Sequence, residues 1–101
     1  MDDTAKDWFA LHTDGAPEAL RARAEQFFNA TAPGDLVARC AGAGRAALAE
    51  AARDGAARAA ALDLLAADAL ITLALLRAAQ DDPANLGQAA AELRRQVTFP
   101  A

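Results

Sequence analysis

The stretch that decides the fold is residues 56–80, which read Ala56-Ala57-Arg58-Ala59-Ala60-Ala61-Leu62-Asp63-Leu64-Leu65-Ala66-Ala67-Asp68-Ala69-Leu70-Ile71-Thr72-Leu73-Ala74-Leu75-Leu76-Arg77-Ala78-Ala79-Gln80. Neither glycine nor proline interrupts it, and alanine and leucine are strong helix formers, so one long helix is predicted. Wound helically, Leu62, Leu65, Ala69, Leu73 and Leu76 fall on one stripe. Leu64, Ile71 and Leu75 fall on a second stripe nearly opposite. Asp68 and Thr72 occupy one seam between the stripes, and Asp63 and Arg77 the other.

A helix that is apolar on two sides has to be covered on two sides. Leaving Leu64, Ile71 and Leu75 in water would forfeit roughly 5–9 kcal/mol, at about 1.5–3 kcal/mol each. That rivals the whole stability of a domain this size, on the order of 5–15 kcal/mol. Both stripes are therefore expected to be sheltered, by the chain's shorter helices or by another chain. Leu64, Ile71 and Leu75 form a candidate interface, and a two-fold homodimer is the simplest assembly.

Working towards the N-terminus, Asp54-Gly55 supplies a glycine stop for a preceding helix that opens at Pro33 or Asp35 and runs to Arg53. Leu36, Val37, Cys40, Gly44, Ala47, Leu48 and Ala51 share one face of it, with Arg39, Arg45, Glu50 and Arg53 on the other. Before it, Pro17 opens a helix reaching about Ala30, with Leu20, Ala24, Phe27, Phe28 and Thr31 as its stripe. Asp3 to Leu11 reads as a short helix whose Trp8 and Phe9 must dock, because under three turns cannot stand alone in water. Towards the C-terminus, Asp82-Pro83 opens a last helix from Ala84 to about Val97 carrying Leu86, Ala90, Leu93 and Val97. Phe99 either tucks back or frays. The prediction is a single all-α domain over 1–101: an antiparallel helical bundle of four main helices plus a short N-terminal helix. Its alanine-rich core implies closely approaching helices rather than a roomy cavity.

The charge balance limits the partners. Ten basic residues are scattered among fourteen acidic ones, for a net charge of −4. A nucleic-acid binder clusters its cations to displace counterions, so no nucleic acid is expected. An anionic membrane surface is disfavoured for the same reason. The longest uncharged apolar run, near Ala69 to Leu76, is far shorter than the ~20 residues of a membrane span. One cysteine forbids an intrachain disulfide, and residues 1–15 carry no apolar leader run, so a cytoplasmic protein is expected. The bias to Ala, Arg, Gly and Asp, with one Lys and no Tyr, points to a GC-rich bacterial source.

No motif names a reaction. Gly42-x-Gly44-x-x-Ala47 has the spacing of a phosphate-cradling turn, but the stripe through Leu36, Cys40, Gly44 and Leu48 is unbroken at helical spacing. Gly44 then reads as a close helix crossing, and Gly42 as a glycine tolerated on the exposed side. His12 and Cys40 lack a third orienting group, and together they fall short of a zinc ligand set. Asp63 and Asp68 point in different directions and cannot clamp a metal together. No cofactor, metal or catalytic residue is expected. Asp68, with Leu64, Leu65, Ile71 and Thr72 around it, is expected to be partly buried, so Asp68 and Thr72 are candidates for a buried polar or ligand contact, with Arg39 or Arg45 as counter-ion. The leading expectation is a non-catalytic protein–protein interaction or assembly module that self-associates through residues 56–80. The alternative is a small-molecule binder with a pocket near Trp8, Phe27, Phe28 and Asp68.

Overall fold

The computed structural model describes residues 3–55 and 57–97 and shows an all-α helical bundle. The helices are α1 (Asp3–Thr13), α2 (Glu18–Ala30), α3 (Leu36–Asp54), α4 (Arg58–Asp81) and α5 (Leu86–Val97), with a 3-10 turn at Pro83–Asn85 before the last. Local chemistry explains the boundaries. Pro17 directly precedes the first residue of α2, and the Asp35 carboxylate accepts from the Ala38 amide, 3.1 Å away, to cap α3. Gly55, at φ 68°, terminates α3 in a conformation that L side chains rarely adopt. Thr31 closes α2, its hydroxyl donating to the Phe27 carbonyl at 2.8 Å. The predicted helix start at Ala56, the Val97 side chain and the expected behaviour of Phe99 lie outside the described residues.

The central pair is α3 against α4, with α2 laid across both. The face of α4 that is buried is not either leucine stripe. Ala60, Asp63, Ala67, Leu70, Ala74 and Ala78 recur at three- and four-residue intervals and are all buried, with Ala66 and Leu73 beside them. Facing them, α3 buries Cys40, Ala41, Ala43, Gly44, Ala47 and Ala51. Small side chains let the two backbones come close. A Cβ placed on Gly44 would sit 2.9 Å from Ile71 Cγ1 and 3.5 Å from the Ala67 carbonyl oxygen. The expected close crossing at Gly44 is there. Gly42, by contrast, is not on an open side: a Cβ there would meet Thr31 Cγ2 at 3.3 Å.

Of the two leucine stripes expected to be covered, the bundle itself shelters only part: Leu73 is buried and Ile71 and Leu75 are half-buried, while Leu64, Leu65 and Leu76 are exposed. Leucines carry more transfer free energy than alanines, so hydropathy favours them as core. Close packing over the length of two helices favours the smallest side chains at the crossing and pushes the leucines to its flanks. Ile71 and Leu75 pack against the core from one flank, and Leu73 is buried on the other. Arg39 is likewise not on an outer face. It is buried, donates from Nε to the Phe28 carbonyl at 3.2 Å, and places its guanidinium 3.9 Å over the Phe28 ring.

The N-terminal helix docks as its two aromatics require. Phe9 stacks on Phe28 with ring centroids 4.4 Å apart, and Trp8 Nε1 donates to Gln80 Oε1 at 3.0 Å. These contacts tie α1 to α2 and to the C-terminal end of α4. At the other edge, Leu93 buries α5 against the bundle.

Candidate interaction surface

With the alanine seam turned inward, the opposite side of α4 is turned out. Ala61, Leu65, Asp68, Thr72 and Leu76 are all exposed along it, and Leu64 borders them. Leu65 is 55% exposed, Leu64 51% and Leu76 37%, which are large values for leucines in the middle of the longest helix of a bundle. Leu62, Ala69, Leu75 and Ala79 are half-buried along its margins. In α1, Leu11 is also exposed, at 72%. Exposed leucines gathered on one face of a helix, rather than scattered singly, make that face a candidate docking surface.

The candidate interface named from sequence divides. Leu64 is exposed, while Ile71 and Leu75 lie half-buried against the chain's own core. Asp68 and Thr72 are not buried within the chain; both stand in the outward seam. Asp68 takes neither Arg39 nor Arg45 as a partner. The buried carboxylate is Asp63, on the other seam, 1% exposed. Arg23 of α2 reaches it with Nε 2.6 Å from Asp63 Oδ1, lies over the Phe27 ring at 4.5 Å, and also donates to Gln26. The hydrogen bond to Asp63 holds the Arg23 proton more tightly than usual. Among the described residues, Asp63 Oδ2 has no hydrogen-bond partner. Half of this carboxylate is therefore desolvated without a compensating hydrogen bond.

The aromatic residues expected to share a pocket are dispersed. Phe28 packs between Phe9 and Arg39, Phe27 lies under Arg23, and Trp8 packs on the His12 ring with centroids 4.4 Å apart. Asp68 stands apart from them on the outside of α4. A cleft of about 270 Å³ does open between α1 and α2, lined by Lys6, Asp7, Phe9, Ala10, Glu25, Phe28 and Asn29. Of the expected set it contains Phe28 alone.

His12 and Cys40 are not joined by any hydrogen bond. The His12 ring donates from Nδ1 to the Trp8 carbonyl at 2.8 Å, an arrangement internal to α1. Cys40 is fully buried, and burial pushes its thiol up to about 11, with the Arg39 and Arg77 charges only partly offsetting this. A thiol in that state is a packing group at neutral pH, not a nucleophile. The Gly42–Ala47 segment runs through the middle of α3 as helix. Among the described residues no group of three or more His, Cys, Asp or Glu side chains is placed to hold a metal ion.

One sequence expectation about α4 needs correction. Counting only its uncharged run made it too short to span a bilayer, yet by length and composition the whole helix, Arg58–Asp81, is long and apolar enough to do so. A bundle's core helix passes the same measure. Here one side of α4 is packed by α2 and α3, and that side carries the Asp63–Arg23 pair.

No family model matches this chain, and neither the curated proteins nor the solved structures contain a match to it.

Proposed function

We propose that the protein is a non-catalytic interaction or assembly module that self-associates, its docking face being the outer side of α4. The observation that carries this reading is the exposure of Leu64, Leu65 and Leu76 on a helix whose other side is fully occupied by its own bundle. Covering the exposed parts of three leucines is worth roughly 1–2 kcal/mol apiece in apolar area, which gives the face a reason to be covered. Specific binding also has to overcome the loss of translational and rotational freedom. A single stripe of this size therefore supports a weak, reversible complex.

Asp68 and Thr72 give the face its selectivity. A lone carboxylate amid leucines penalises any partner that would bury it without a donor or a route to water. The surface is poor in cations, Arg58 being the one basic residue on the outward side of α4, so neither a polyanion nor an anionic bilayer has the contacts it needs.

The test is to record sedimentation of the wild-type chain and of Leu65→Lys/Leu76→Lys across the micromolar range. Both positions are exposed, so the variant is expected to keep its helical circular dichroism. The expected result is concentration-dependent self-association of the wild type that the double variant loses. A wild type that sediments as a monomer throughout contradicts self-association, and association that survives the substitutions contradicts this face.

A further inference from the structure

Resting on that reading, we infer that the occupant of the face is the same helix of a second copy, packed antiparallel, with Leu65 of each copy against Leu76 of the other. Leu62, Leu65, Ala69, Thr72, Leu76 and Ala79 follow one another at alternating three- and four-residue steps, the spacing of a two-helix seam. The same six positions are the exposed or half-buried ones on the side of α4 away from the bundle, whereas the inward alanines occupy other positions of the repeat. The seam is ~26 Å long at 1.5 Å per residue.

Size and charge both select the antiparallel arrangement. Centred between Ala69 and Thr72, it forms layers of Leu62 with Ala79, Leu65 with Leu76, and Ala69 with Thr72. Each layer then contains at least one side chain larger than alanine. A parallel pair would set Ala69 on Ala69 and Ala79 on Ala79, leaving gaps between leucine layers that only a bent backbone could close. The ends of α4 differ in charge as well. Arg58 is exposed at its start; at its finish Asp81 is paired with Arg77 at 2.9 Å, and Asp82 is an exposed carboxylate beyond that pair. The antiparallel register brings Arg58 of one copy level with Asp82–Pro83 of the other, twice per dimer, and opposes the helix dipoles. A parallel pair would gather like charges at each end. The carboxylate of Asp68 flanks the seam beside Leu75 of the second copy, where it keeps an edge in water.

Disulfide trapping tests the register. Leu65→Cys and Leu76→Cys are made separately in a Cys40→Ala background, then mixed, equilibrated and oxidised mildly. The two positions are too far apart along one helix to bond within a chain. The inference expects a disulfide-linked dimer from the mixture and none from either variant alone. A linked dimer from Leu65→Cys alone means a parallel pair and overturns it. Sedimentation as a dimer with no trapping in any sample also overturns the register, while leaving self-association through this helix standing if Leu65→Lys/Leu76→Lys still abolishes it. A wild type that is monomeric, but that floats with phospholipid vesicles through Leu65 and Leu76, overturns the second copy as occupant altogether.

Discussion

Asp63 shows what a single residue can hide from sequence reading. From the pattern alone it is a charged residue in a seam between two leucine stripes, and a seam reads as a route to solvent. In the fold the seam is the deepest line of α4, because the residues that share it are alanines and the partner helix brings its own small face to them. Burying the carboxylate is tolerable only because Arg23 meets Oδ1, and Oδ2 remains without a donor. Arg23→Met should therefore destabilise the fold by about 2–4 kcal/mol in urea denaturation, a figure tempered by the partial exposure of Arg23. Arg23→Met/Asp63→Leu should recover most of that loss, since it removes the stranded charge together with its partner. An equal loss in both variants would show that packing of the arginine stem, rather than the ion pair, matters.

Cys40 offers a second residue-level test, through pH. Its thiol titrates higher folded, at about 11, than the usual value of 9.0 that applies unfolded. A raised folded value means that its contribution is complete below pH 9 and is lost as pH climbs towards 11, because the unfolded chain releases the proton first. The alkaline decline in stability should be shallower in Cys40→Ala than in the wild type, by about 2 kcal/mol across that interval. Identical slopes would show that the thiol is more hydrated than its burial indicates.

At the scale of elements, every helix was legible in the chain, and the reasons are local ones. Glycine and proline punctuate the sequence at Gly15, Pro17, Pro33, Gly55 and Pro83, and between them the apolar spacing is helical. The orientation of α4 was not legible in the same way. A long alanine- and leucine-rich helix has apolar side chains almost all round, so its periodicity names several faces and hydropathy ranks the leucines first. The discriminating signal was present but lay in a pairing between elements: small residues at Ala60, Ala67, Ala74 and Ala78 of one helix and at Ala43, Gly44, Ala47 and Ala51 of the next. Two facing small-residue seams can approach closer than any leucine face. The fit of the two helices, rather than the hydropathy of one, decides which side goes in.

That pairing gives opposite expectations for two glycines. Gly44→Ala places a methyl against Ile71 in the α3–α4 crossing, and the steric cost of about 1–3 kcal/mol should exceed the helix-propensity gain of about 1 kcal/mol. Gly87→Ala, in α5 with nothing within 4 Å of the added methyl, should raise stability by about 0.5–1 kcal/mol. Thermal melts of the two variants beside the wild type measure both. A stabilised Gly44→Ala would mean that the two helices are not in close contact at that point.

At the scale of the whole molecule, the candidate surface follows from the same choice of face. Once α4 turns its alanines inward, Leu64, Leu65 and Leu76 have nowhere to go but outward, and Asp68 and Thr72 go with them. The sequence could show that this helix needs cover on two sides. It could not show which leucines the bundle would leave uncovered, because that depends on the rotation of α4 against α3. The dispersal of Trp8, Phe27 and Phe28 has a similar origin: each aromatic is taken up by an arginine, a histidine or another ring, and of the three Phe28 alone lines the α1–α2 cleft.

The outward leucines are the point on which the functional reading turns, and sedimentation of the unmodified chain at rising micromolar concentration tests them most directly. A shift from monomer to dimer mass that Leu65→Lys/Leu76→Lys abolishes, with its helical content intact, is the predicted result. A protomer that stays single at every concentration, with α4 bare on one side, would contradict it.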